Sequence, residues 1–429
     1  MYEEICNLIK RIIWYIKSGA EWILIGLFVG CICGIVGTAF ALGINYATSY
    51  RMNHGFILYF LPLAGPVIVW IYHRLDVAGR GTNDIIAAAR EGNFLPVLLI
   101  PAIFVSTIIT HLFGGSAGRE GAALQIGGDI GNTIGKCFKL EKRKVGMITR
   151  VGMSSFFAAL FGTPVAATAF GTMVINVGEI PYLTIFPALI ASLVSSSISY
   201  HCGVAPVRFN VGVPSLDSIM IIKIAILAML CAIVSVLFVK SLSFFNYLMR
   251  KYLKNAYVRA LVGGCIIVLL SLLLNTRDYN GAGMDVISKA LLKGEASPVA
   301  FIWKILFTAI TLEAGYKGGE VVPTFFIGAT FGCFASTLLQ IPPQFGAAIG
   351  MIGVFGAATN SFLSPLFLSV EVFSGTGIIF FALACIICYI YSGYSGLYSS
   401  QMIVFSKVTS EQVDAKTNLY HTGDWYKYQ

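Results

Sequence analysis

Glu120 and Glu320 are glutamates set among glycines. The first lies in Gly114-Gly115-Ser116-Ala117-Gly118-Arg119-Glu120-Gly121, with Gly127-Gly128 soon after. The second lies in Gly315-Tyr316-Lys317-Gly318-Gly319-Glu320-Val321-Val322-Pro323. Glycine lets a chain leave helical geometry, and a helix that restarts inside a membrane presents unpaired N–H groups and the positive end of its dipole. Such an end holds an anion without a full positive charge, so the anion can also be released. A carboxylate beside it competes for the same donors while ionised and withdraws once protonated. The chemistry this implies is anion passage linked to a proton. The duller reading of either glutamate is a helix cap, contributing about 0.5–2 kcal/mol. Within a bilayer, however, an ionisable side chain is costly and functional by default. Asp129, Glu179, Glu313 and Glu371 also lie in or beside apolar runs, where partners or interface positions account for them. Arg119 serves to neutralise or orient a neighbouring carbonyl or carboxylate.

The two clusters match each other. Superposing Gly118 on Gly318 places Glu120 on Glu320, Gly115 on Gly315 and Gly128 on Gly328, all at an offset of 200. At an offset of 198, Gly152-Met153 falls on Gly350-Met351, and apolar segments around Pro164 and Pro365 follow. Four pairings in register indicate two related halves, near 50–200 and 255–405. Gly-interrupted apolar segments at matching places in two halves are the mark of transporters built from repeats.

The elements that position these residues are membrane helices. The chain has 429 residues, of which 57% are hydrophobic and 11% charged. Its mean hydropathy is +0.81. Soluble domains carry roughly a quarter charged residues, so an ordinary cytosolic enzyme, a disordered protein and a nucleic-acid binder are excluded. Stretches near the roughly 20 residues that span about 30 Å of hydrocarbon recur along the chain. Clear ones are Trp22–Ala47, Phe56–Tyr72, Leu95–Phe113, Ile219–Val239, Ala260–Leu274 and Gly377–Tyr391. No alternating ten-residue strands point to an outer-membrane barrel. The net charge of +9 reflects basic loops, Lys136–Arg150 and Lys240–Arg259, which the positive-inside rule places on the cytoplasmic side.

Residues 1–20 read as an amphipathic helix in the membrane interface, with Trp14 and Tyr15 at headgroup level, and not as a removed signal peptide. The transmembrane domain covers 21–405, and 406–429 is a short polar tail with no soluble domain appended at either end. The ten cysteines are scattered through apolar segments and read as small hydrophobes. The five histidines form no metal-ligand spacing, so neither a metal nor a cofactor is expected. No phosphate-binding GxxxxGK[ST] loop or nucleophile elbow occurs, which argues against an ATP-driven pump and against an enzyme.

Together these residues resemble the CLC family of chloride channels and proton-coupled anion antiporters. Gly118-Arg119-Glu120-Gly121 after Gly114-Gly115-Ser116 looks like the family's external gating-glutamate motif. Gly318-Gly319-Glu320-Val321-Val322-Pro323 resembles its second anion-binding loop, and Leu397-Tyr398-Ser399 its central pore tyrosine. The resemblance covers most of 20–405. It implies an all-α polytopic fold of two inverted-topology repeats with tilted and broken helices. It also implies a homodimer in which each subunit has its own pathway.

The departures from the chloride pattern are informative. Ala122 stands where chloride transporters usually carry Pro. The first anion loop corresponds to Gly79-Arg80-Gly81-Thr82-Asn83-Asp84-Ile85, without the usual Ser or Pro. Glu320 occupies a position that is apolar in chloride members, which is similar to the fluoride/proton antiporter branch. Phe355 resembles one of that branch's pore phenylalanines; no second one stands out, and Thr359 lies nearby. Val322 replaces a hydroxyl residue. By resemblance, Glu120 is the gating carboxylate and Glu320 a second carboxylate on the proton path. Gly118, Arg119, Gly121, Val321, Val322, Phe355, Tyr398, Thr82 and Asn83 would then line the anion site. The function implied is export of fluoride in exchange for protons across a bacterial inner membrane. The alternatives are a chloride/proton antiporter or chloride channel of the same family and, further off, a membrane-embedded enzyme binding an anionic substrate.

Overall fold

The computed structural model describes residues 2–408. They form sixteen α-helices in two sets of eight. The first set is α1 (Tyr2–Asn53), α2 (Leu61–Arg74), α3 (Thr82–Glu91), α4 (Leu99–Phe113), α5 (Glu120–Cys137), α6 (Lys142–Phe161), α7 (Pro164–Met173) and α8 (Tyr182–His201). The second is α9 (Ser218–Tyr252), α10 (Ala256–Leu273), α11 (Met284–Lys293), α12 (Ala300–Ala314), α13 (Val321–Leu339), α14 (Pro343–Thr359), α15 (Leu363–Val372) and α16 (Ile378–Tyr391). A short 3₁₀ helix, Gly55–Phe60, leads into α2.

Each set packs in the same way: α5 on α6 as α13 on α14, α6 on α8 as α14 on α16, and α1 on α8 as α9 on α16. The sets meet through α2 on α10 and α7 on α15. The long outer helices turn Leu24, Ile35, Ile222, Ile233 and Leu273 outward, whereas α5, α6, α13 and α14 are buried along most of their length. This is the two-repeat, all-helical membrane architecture expected. The repeats extend further than 50–200 and 255–405, because α1 and α9 are matching members of the two sets.

Glycine explains how polar backbone packs so deeply. A Cβ at Gly152 would stand 2.0 Å from the carbonyl oxygen of Gly127, and one at Gly350 would stand 2.1 Å from that of Gly328. The crossings α5–α6 and α13–α14 are therefore backbone against backbone, the small-residue packing that membrane helices favour.

Two expectations change. Residues 2–20 are helical but do not form a separate interfacial helix, since α1 runs unbroken for 52 residues, about 78 Å at 1.5 Å per residue. Leu95–Phe113 and Gly377–Tyr391 become helices of 15 and 14 residues, too short to cross a bilayer. Tyr182–His201 and Val321–Leu339, by contrast, are long and apolar enough to cross. The polar tail lies outside the described residues beyond Val408. Before it, Met402–Ile403 pairs in parallel with Asn176–Val177, and the Lys407 ammonium donates to Asn360 Oδ1 and to the carbonyls of Tyr389 and Gly393.

Candidate functional site

The two glycine clusters meet at the centre of the molecule. Gly118 N–H donates to the Gly319 carbonyl at 2.7 Å and Gly319 N–H donates to Gly118 at 2.8 Å, a single antiparallel bridge between the halves. Around it the contacts are reciprocal. Ser116 N–H donates to Thr311 Oγ1 at 3.1 Å, and Lys317 N–H donates to Thr110 Oγ1 at 3.2 Å. Gly115 N–H bonds Thr110 O as Tyr316 N–H bonds Thr311 O. Every one of these pairs is related by 201 positions, as are the bounds of α4 and α12. The register read from the glycines, 200, is thus one short around the site. Glu120 corresponds to Val321, and Glu320 corresponds to Arg119.

The carboxylates consequently differ in setting. Glu120 opens α5 and is 1% exposed. Its Oε2 accepts from the Arg119 N–H at 3.0 Å, so the carboxylate is folded back onto its own helix start. Arg119 Nε approaches Oε1 at 3.4 Å, while the rest of that guanidinium holds Asn45 Oδ1 and the Leu160 carbonyl. The Arg119 guanidinium is thus shared between the Glu120 carboxylate, Asn45 and the Leu160 carbonyl. Glu320 immediately precedes α13, and its side chain makes no capping hydrogen bond. Its Oε2 is buried without a partner among the described residues and lies against Gly121, where an added Cβ would come within 3.0 Å of it. Lys317 is the cation nearest in sequence to Glu320, and its Nζ stands 4.3 Å from the centre of the Tyr72 ring.

The first loop joins the same centre. Gly81 N–H donates to Asp84 Oδ2, shaping the start of α3, where Thr82 is the first helical residue. Thr82 Oγ1 accepts from Gln125 Nε2 of α5 at 2.8 Å. Asn83 Oδ1 accepts from the Ser400 N–H at 3.1 Å, tying this start to the strand of chain that carries Tyr398. Tyr398 is 1% exposed, and its hydroxyl is buried without a partner among the described residues. The starts of α3, α5 and α13 are thus linked to one another and to Tyr398.

Phe355, 1% exposed, meets Phe325 edge-on at 5.0 Å and Phe170 at 5.3 Å between ring centres. Phe161 packs on Phe325 in turn. Phe325 follows Val321 and Val322 by one turn, so this aromatic cluster lies beneath the start of α13. Neither Phe325 nor Phe170 stood out among 31 phenylalanines; only their contacts single them out. The Thr359 hydroxyl donates to the Phe355 carbonyl within its own helix, and Val321 and Val322 are buried apolar wall.

Of the four remaining acids, three have partners. Glu371 accepts from the N–H groups of Val165 and Ala166 at the start of α7, Glu313 accepts from Asn246, and Glu179 accepts from Asn176. Asp129 does not: it is fully buried, and neither of its oxygens has a partner among the described residues.

Helices broken and restarted in the buried interior, where the two halves bridge, and flanked by N–H groups and carboxylates, define an anion-transport protein. Residues 64–393 match the model of the voltage gated chloride channel family, and the chain belongs to that family. Its members are channels and transporters. The chain is 30% identical over 399 residues to the "Chloride/fluoride channel protein" of Pseudomonas syringae pv. tomato, covering 90% of this chain and 88% of that one. It is 24% identical over 400 residues to the H(+)/Cl(-) exchange transporter ClcA of Vibrio cholerae, covering 83% and 82%. Among solved structures, that of a CLC-type fluoride/proton antiporter superposes with a TM-score of 0.87 at 30% identity, covering 90% of this chain and 98% of that one.

Proposed function

We propose that this protein exports fluoride from the cytoplasm in exchange for protons, across a bacterial inner membrane and as a homodimer with one pathway per subunit. The observation that carries the reading is the pair of carboxyls at the Gly118–Gly319 bridge. One is folded onto the N–H groups that an anion would use, and the other is buried and unpaired beside it. Protonation of Glu120 frees the donors at the start of α5 and lets the side chain swing away. The anion then enters, and the proton passes inward by way of Glu320.

Fluoride suits the site because it is small, strongly hydrated and in need of short charge-assisted bonds. Backbone N–H groups and the Thr82 hydroxyl supply such donors, and the edge-on rings around Phe355 present positive edges. The names carried by the two relatives at 30% identity support the same ion. Chloride exchange is the competing reading, supported by the Vibrio cholerae relative.

The test is purified protein in vesicles loaded with fluoride or chloride, with anion efflux and internal pH recorded together. Fluoride efflux accompanied by internal acidification, with chloride efflux far slower, is expected. Chloride efflux matching fluoride would overturn the assignment.

A further inference from the structure

The face of α5 that meets Glu320 continues toward the cytoplasmic end as a polar stripe. Gly121, against which Glu320 Oε2 lies, is followed on that face by Gln125, Asp129, Asn132 and Lys136. The spacings of four, four, three and four keep all five within one narrow side of a 3.6-residue helix. Gln125 holds Thr82 at the start of α3. Asn132 accepts from the Leu95 N–H at 2.9 Å and donates to the Asn93 carbonyl at 2.9 Å. Lys136 is exposed in the last turn of α5. Asp129 alone has no hydrogen bond or ion pair among the described residues, although it is 0% exposed.

A buried carboxyl without a partner is costly, and native structures rarely retain one without a use. No Lys, Arg or His on the elements packed around α5 forms an ion pair or hydrogen bond with Asp129 among the described residues. On α3, Asp84 is held by Arg80 and the Gly81 N–H, and Arg90 by Glu91 and the Ser400 carbonyl. On α4, His111 Nε2 faces the Gly118 carbonyl. On α6, Lys144 pairs with Glu21 of α1, and Lys142, Arg143 and Arg150 form no ion pair with Asp129; α13 carries no charged residue. Along the axis, Asp129 lies about 12 Å from Gly121 and about 10 Å from Lys136 at 1.5 Å per residue. It divides the distance between Glu320 and the cytoplasmic surface almost equally.

We propose that Asp129 is the inner proton station of the exchanger: it takes the proton that Glu320 releases and passes it to cytoplasmic water. Each step moves one proton from a carboxyl to an acceptor and leaves a carboxylate behind, so charge balances without a co-reactant. Gln125 and Asn132 are positioning residues that keep the stripe polar on either side. This assignment rests on the proton-coupled reading above.

The experiment uses full-length protein in fluoride-loaded vesicles, with efflux and internal pH followed together. Asp129→Asn and Asp129→Ser are compared with wild type, and either variant that purifies as a monodisperse species and retains fluoride flux gives the reading. The expected result is a proton-to-fluoride ratio lowered by about 100-fold, the low end for losing a proton-transferring group. Asp129→Glu, which keeps the acid, restores coupling. Wild-type ratios in Asp129→Asn or Asp129→Ser would overturn the proposal while leaving proton coupling itself intact. Wild-type protein that moves no protons would overturn both.

Discussion

At the scale of single residues, the two glutamates are not interchangeable. Glu120 is satisfied by the Arg119 N–H on its own helix, whereas Glu320 has a buried oxygen with no partner. Glu120→Gln keeps the shape but cannot take up a proton, and proton influx driven by fluoride efflux is expected to fall by about 100-fold, read as internal pH in loaded vesicles. Influx unchanged in that variant would remove Glu120 from the mechanism. Sequence pattern was sufficient to single out both residues as candidates, because an acid between glycines is conspicuous where only 11% of residues are charged. It was not sufficient for Asp129, which resembles the partnered acids Glu313 and Glu371 until its surroundings are known.

At the scale of elements, the glycine crossings set the tolerance of the fold. Gly152→Ala drives a Cβ to 2.0 Å from the Gly127 carbonyl, a backbone atom that cannot swing aside. The expected cost is about 3 kcal/mol, the upper end for overpacked cores, seen as a lower unfolding temperature in detergent. Gly212→Ala, where nothing lies within 4 Å, should stay within about 0.5 kcal/mol of wild type. Equal shifts in the two variants would refute backbone-limited packing. The same elements show what a sequence reveals and hides. Long lipid-facing helices such as α9 and α10 are legible because lipid demands apolar residues on their exposed faces. The repeat register slipped by one because the doublets Gly127-Gly128 and Gly318-Gly319 accept either alignment; Thr110 and Thr311, each bonded to the other half, decide it. The short helices α4 and α16 look like spans because protein neighbours permit the same apolar composition that lipid requires.

At the scale of the whole molecule, the halves are bound through a central bridge, α2 on α10, α7 on α15, and the parallel pair Asn176–Val177 with Met402–Ile403. The connection between α8 and α9 is exposed at Val213, Ser215 and Leu216. Proteolytic cleavage there is expected to leave the two fragments co-eluting on size exclusion and still active, whereas separation of the fragments would show that chain continuity holds the halves together. Two identical halves related by an axis in the membrane plane would make a body with no front and no back. Setting Glu120 opposite Val321, and Arg119 opposite Glu320, gives the molecule an arrow at the place where ion and proton meet. In vesicles where copies insert both ways up, the two populations are therefore chemically distinct when approached from outside. A blocker shaped to the Glu120 face would silence one population and leave the other running.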